Sequence, residues 1–161
     1  MRRAAASRDR SARARIPLQR HLRFERLEDR RLLAGVLVGN NLDLVNGDTT
    51  TIANLIASDG GDGISLREAI LAANATAGAD QVTFAAALSG QTITLGGTEL
   101  AIAEALTIDA RPLAANMTIN ANQLSRIFNI TAASGDFMLG GLTLSGGNTT
   151  ALATESRLQT P

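Results

Sequence analysis

The side chains able to do chemistry are few: one histidine, no cysteine and no lysine. Ser/His/acid catalysis needs an imidazole beside its nucleophile. The only one, His21, stands in an Arg-rich opening segment, which closes that route. A phosphate-cradling P-loop needs its lysine, and zinc needs His or Cys ligands. What remains is carboxylate and guanidinium chemistry, in which acids hold Ca²⁺ and an arginine abstracts a proton, as in a polysaccharide lyase. Asp109, Arg111, Arg126 and Asp136 are the candidates. They are scattered, with no carboxylate pair at a repeating spacing. Asp109 reads better as a strand-to-turn corner residue bonding its own backbone.

Asp59-Gly-Gly-Asp-Gly63 has the residue types of a Ca²⁺ loop, and Asp59 and Asp62 can supply oxygen ligands. No nonapeptide Gly-Asp repeat accompanies it, so a plain turn is the simpler reading. Asn116, Asn120, Asn122 and Asn129 read as turn or ladder residues. Four Asn-x-Ser/Thr sequons, at Asn74, Asn116, Asn129 and Asn148, follow from the same Asn and Thr usage. Sugar or base binding usually wants aromatic platforms, yet the only aromatics are Phe24, Phe84, Phe128 and Phe137. The last three occupy apolar strand positions and are expected in the core.

The elements that must position these residues follow from composition. Hydrophobic residues make up 45% of the 161, but aromatics only 2%. Stacked aliphatic layers suit that balance, because each layer repeats the same small shapes. The zero net charge averages two unlike parts. Residues 1–31 hold 11 Arg against 4 acids, and residues 32–161 hold 4 Arg against 11 acids. A basic leader is fused to an acidic body. No apolar run reaches the 18 or more residues of a membrane-spanning helix, and no apolar stretch follows the Arg cluster as in an ordinary secretory signal.

Residues 1–20 lack any apolar period and are expected to be disordered. Residues 21–35 are dense in helix formers, with Gly35 as a stop, which predicts a short helix. Val36-Leu-Val38 and Leu42-Asp-Leu-Val45, split by Gly39-Asn-Asn41, predict two strands before the Asp59 loop. The clearest helix starts at Ser65, where Glu68 three residues on completes a capping box. Leu66, Ile70 and Ala73 form its apolar stripe, Arg67 and Glu68 are expected to face outward, and Asn74 and Gly78 end it. Val82-Thr-Phe84 then begins an extended run.

From Gly90 onward the pattern repeats: Thr92-Ile-Thr-Leu95, Leu106-Thr-Ile-Asp109, Met117-Thr-Ile-Asn120, Phe128-Asn-Ile-Thr131 and Leu142-Thr-Leu-Ser145. Ile108, Ile119 and Ile130 fall 11 apart. Short strands joined by polar turns, with no intervening helix, mark a β-solenoid. A flat antiparallel sandwich is the competing reading.

Ile64-Ser-Leu-Arg-Glu-Ala-Ile-Leu-Ala-Ala-Asn74, Gly78-Ala-Asp-Gln-Val-Thr-Phe84 and Gly90-Gln-Thr-Ile-Thr-Leu95, followed by Ser125-Arg-Ile-Phe128 and Gly141-Leu-Thr-Leu-Ser-Gly-Gly147, resemble the CSLREA module. That module opens many bacterial surface β-helix proteins, related in shape to polymorphic outer-membrane proteins and pectate-lyase-like folds. The resemblance covers about residues 60–150 and departs at Ile64, where the family has its Cys. It implies an all-β, right-handed parallel β-helix whose N-terminal opening is covered by the helix built on Ser65, Leu66, Glu68, Ile70 and Asn74. Phe24-Glu-Arg-Leu-Glu-Asp-Arg-Arg-Leu-Leu-Ala34 resembles the LExRxLL segment of exported planctomycete proteins. It implies sorting through Phe24, Leu27, Glu28, Arg30, Leu32 and Leu33.

The expected organisation is therefore a leader over 1–35, strands and a loop over 36–63, the capping helix and first strand over 64–89, rungs over 90–148 and an irregular tail over 149–161. At a period of ~20 residues or slightly more the rungs amount to two or three turns, near the minimum of about three for stability. That suggests a truncated member of a longer family. The expected function is a non-enzymatic structural or adhesive module, secreted or on a bacterial surface. It needs no cofactor beyond a possible Ca²⁺, and its partner is an unidentified extracellular or cell-envelope one, with polysaccharide a candidate. The alternatives are an extracellular polysaccharide lyase or hydrolase, and a secreted nucleic-acid binder acting through the Arg-rich arm.

Overall fold

The computed structural model describes residues 33–132 and 135–149. The chain divides into two units, Met1–Arg30 and Arg31–Pro161, and every described residue belongs to the second. The expectations for the leader, with Phe24, Leu27, Glu28, Arg30 and Leu32, and for the tail beyond 149 lie outside the described residues. Leu33 is described and is exposed.

Nine strands form among the described residues, six of them where apolar and polar residues alternate: β1 (Ala34–Val38), β2 (Asp80–Phe84), β3 (Thr92–Thr94), β4 (Leu100–Ile102), β5 (Leu106–Asp109), β6 (Met117–Asn120), β7 (Phe128–Ile130), β8 (Phe137–Gly140) and β9 (Leu142–Ser145), with β1, β4 and β8 lacking polar residues. Two α-helices, α1 (Ile52–Ala57) and α2 (Leu66–Ala75), lie between β1 and β2. The described part is thus mostly strand, with few helices.

The strands make three sheets, ordered β1-β2-β5-β8, β3-β6-β9 and β4-β7, and every pairing is parallel. The antiparallel alternative is thereby excluded for these strands. From β2 onward the chain visits the three sheets in strict rotation. Asp80 pairs with Leu106 and Thr92 with Thr118, each 26 positions on, against the ~20 residues or slightly more expected of a circuit. The 11-residue spacing of Ile108, Ile119 and Ile130 is the step between faces of one circuit, because these residues lie in β5, β6 and β7.

Period-2 alternation turns one set of side chains inward. Val36, Val82, Ile108 and Leu139 form one column, and Ile93, Ile119 and Leu144 another. All are fully buried except Leu139 and Leu144, which belong to the last strands of their sheets. Phe84 is buried as expected. Phe128 and Phe137 pack partly buried and edge-to-face, ring centres 5.9 Å apart.

Several local expectations need correction. Ala34 and Gly35 belong to β1, so the strand begins inside the range read as a helical leader. Leu42-Asp-Leu-Val45 is irregular, and Leu42, Leu44 and Val45 are exposed. Residues 36–63 also contain α1, capped by the Thr51 side chain on the Asn54 N–H. Its signal was hidden because six residues are too few to show a helical period. α2 carries the expected capping box at Ser65 and Glu68, and buries Leu66, Ala69, Ile70 and Ala73. It runs one residue past Asn74, to a C-cap at Thr76. Ile64 is buried, and its carbonyl accepts a hydrogen bond from the Gly39 N–H.

The first strands of two sheets present free edges, and polar side chains from the N-terminal elements satisfy them. Asn74 on α2 accepts from the Ala103 N–H at 2.9 Å and donates to the Ala101 carbonyl at 2.8 Å, as a neighbouring strand would for β4. At β3, the Asn41 amide donates to the Thr92 carbonyl, and Asp43 accepts from the Gly96 N–H just past the strand. An unpaired edge invites association. Here the edge groups are covered from within the chain.

Candidate functional site

Arg67 and Glu68 do not face solvent freely. Arg67 forms a two-pronged ion pair with Asp43, Nε to Oδ1 at 2.7 Å and Nη2 to Oδ2 at 3.0 Å. Its remaining donors reach the carbonyls of Thr98 and Glu99 at 2.8 and 3.1 Å. Glu68 is 1% exposed, and its carboxylate accepts from the N–H groups of Ser65, Asn46 and Gly47 at 2.8 to 2.9 Å. Burial pushes this carboxyl up, but those donors together outweigh it and hold it below the ordinary glutamate value. The helix thereby clamps the 43–47 segment.

Beyond Arg67 the polar network continues onto the corner between the β3 and β4 sheets. Glu99 accepts from Arg126 Nε at 2.8 Å and from the Asn129 amide at 2.7 Å. Arg126, followed by Asn129, keeps the Glu99 carboxyl below its usual range against the opposing effect of burial. Three stacked loops, following β3, β6 and β9, line an open cavity of ≈ 240 Å³ here. Gly97, Thr98 and Glu99 line it from the first loop, Leu124, Ser125 and Arg126 from the second, and Asn148 from the third. The loops are tied together, since the Asn148 N–H donates to the Ser125 carbonyl and its amide to the Gln123 carbonyl.

The residues considered for lyase chemistry do not converge. Asp109 pairs with Arg111, Oδ1 to Nε at 2.8 Å, and accepts from the Arg111 N–H, the corner role expected of it. Arg111 holds that carboxyl below its usual value. Arg126 belongs to the Glu99 corner, and Asp136 lies in the turn before β8, where its carbonyl accepts from Leu106. Arg126 is thus the one candidate that lines the cavity.

Asp59 serves the loop that contains it, and Asp62 ties that loop to the 43–47 segment. Asp59 accepts from the Gly61 N–H, and Asp62 from the Asn46 amide. No group of three or more His, Cys, Asp or Glu that could hold a metal occurs among the described residues. Of the four sequon asparagines, Asn74 is engaged with β4, Asn129 with Glu99, and Asn148 with Gln123.

Asp80, at the start of β2, is 2% exposed and points inward, and its Oδ2 has no hydrogen-bond partner. Burial raises its carboxyl above the ordinary value. The Ala34 N–H opposes that rise and the Glu104 charge adds to it.

Sequence reading missed Asp43, Glu99, Asn46 and Gly47. Their partners lie 16 to 53 residues away, so no local motif announces them. Glu99 and Arg126, 27 apart, become predictable once the circuit length is known.

No protein-family model, curated protein or solved structure matches the chain. No described helix is long and apolar enough to cross a membrane.

Proposed function

We propose that the chain winds as a right-handed parallel β-helix and serves as a structural or adhesive module, secreted or displayed on the cell surface. The observation that carries this reading is the rotation of successive strands through three parallel sheets, with inward side chains kept in register. Parallel strands joined by crossovers are right-handed in about 98% of cases, which supports that hand. The resemblance of residues 60–150 to surface β-helix modules, and of the leader to an export segment, supports the location. The placement of Arg126 and Asp136 apart from the Asp109–Arg111 pair favours a role without catalysis.

Beads coated with the full chain, counted on whole cells of the source organism against albumin-coated beads, test adhesion. Attachment several-fold above albumin is expected, and equal counts would sink the adhesive reading. Protease added to intact cells tests display. The chain should be cut while a cytoplasmic marker survives.

A further inference from the structure

We propose that the corner cavity bounded by Glu99, Arg126 and Asn148 binds one neutral sugar ring, such as the end of a glycan. This rests on the adhesive reading and names the ligand class it lacks.

The walls come from loops on three successive circuits, tied by backbone and amide hydrogen bonds, so the cavity is held in shape before any ligand arrives. Its volume of ≈ 240 Å³ falls below the range of about 300–1,000 Å³ typical of sites for drug-sized molecules, which suits a single ring.

Charge selects the class. Arg126 is matched by Glu99, and Arg67 by Asp43, so an ionic ligand would bring an uncompensated charge. A polyhydroxylated neutral ring needs donors and acceptors side by side instead. Arg126 spends Nε on Glu99, and among the described residues no partner occupies its Nη groups; its side chain is 41% exposed. Those groups can donate to ring hydroxyls, and the Glu99 oxygens beside them can accept.

Leu124, exposed at the cavity mouth, offers an apolar surface to the C–H face of a ring. Opposite it is Gly97, at φ +102, where an added Cβ would meet only Leu124. No aromatic platform lines the cavity. The affinity is accordingly weak, with Kd on the order of 1 mM.

Amide NMR of the full chain, titrated with methyl α-glucoside, methyl β-galactoside, N-acetylglucosamine and, as acidic comparison, galacturonate, tests the assignment. At least one neutral sugar should produce saturable shifts at Gly97, Ser125 and Asn148. Arg126→Met and Leu124→Asp should each weaken that response at least tenfold, with the remaining spectrum unchanged. The assignment fails if no neutral sugar saturates, if only galacturonate does, or if Arg126→Met leaves the response intact. Bead attachment that persists without any sugar response would overturn the cavity assignment and spare the adhesive reading. The reverse pattern would spare the cavity and sink adhesion.

Discussion

Glu68 shows how one carboxylate joins local and distant structure. Its Oε2 completes the capping box with Ser65, while Oε1 accepts from both Asn46 and Gly47. Glu68→Gln turns one acceptor into a donor facing an N–H, and should cost about 2–3 kcal/mol in urea unfolding at neutral pH. Because this carboxyl is held low, its contribution is present above the unfolded glutamate pKa and is lost as pH falls through the folded value. The gap between wild type and variant should therefore close in acid. Asp80 has the opposite sign. Its carboxyl is raised, so its penalty is absent below the unfolded aspartate pKa and grows as pH rises through the folded value. Asp80→Asn should raise the thermal midpoint by a few degrees at neutral pH and bring no gain in acid; a lower neutral midpoint would contradict this. The capping box was legible because Ser65 and Glu68 are three residues apart. The inward turn of Glu68 was not, because Asn46 and Gly47 are 22 and 21 residues back.

At the scale of elements, legibility followed burial. Strands with one buried face announced themselves by alternation, as in Leu106-Thr-Ile-Asp109 and Met117-Thr-Ile-Asn120. Leu42-Asp-Leu-Val45 has the same look but joins no sheet as a strand, because the Leu44 carbonyl accepts from the Ser65 hydroxyl and the Asp43 side chain, not the backbone, meets the β3 edge. Asn74 was read as a helix stop, yet it acts as a substitute strand. Asn74→Ala should cost about 1 kcal/mol and speed hydrogen exchange at the Ala103 amide, while leaving that of Ile119 unchanged. The β8–β9 corner depends on Gly141, at φ +70, where an added Cβ would fall 2.4 Å from the Arg111 nitrogen and 2.5 Å from the Ala110 carbonyl carbon. Gly141→Ala should lower the thermal midpoint and loosen β8 and β9 first, measured as amide exchange strand by strand.

For the whole molecule, the recurring isoleucines were visible but their meaning was not. A spacing of 11 suits either three short circuits or three faces of one long circuit, and only the pairing partners separate the two. Position in the stack then decides what each isoleucine contributes. Ile119 lies in the middle strand of its sheet and is fully buried, so Ile119→Ala should cost about 2–5 kcal/mol. Ile130, one face further on, is 51% exposed, and Ile130→Ala should cost well under half as much in the same urea titration. Equal losses at the two positions would contradict the exposure of Ile130 beside the full burial of Ile119.

The edge-covering contacts of Asn41, Asp43 and Asn74 carry a temporal meaning. Their partners, Thr92, Gly96, Ala101 and Ala103, are all translated before the second circuit begins at Leu106. A chain leaving the ribosome amino end first can finish its covered end early. Every later strand then meets an edge already in place about one circuit behind it, so the direction of synthesis and the direction of growth coincide.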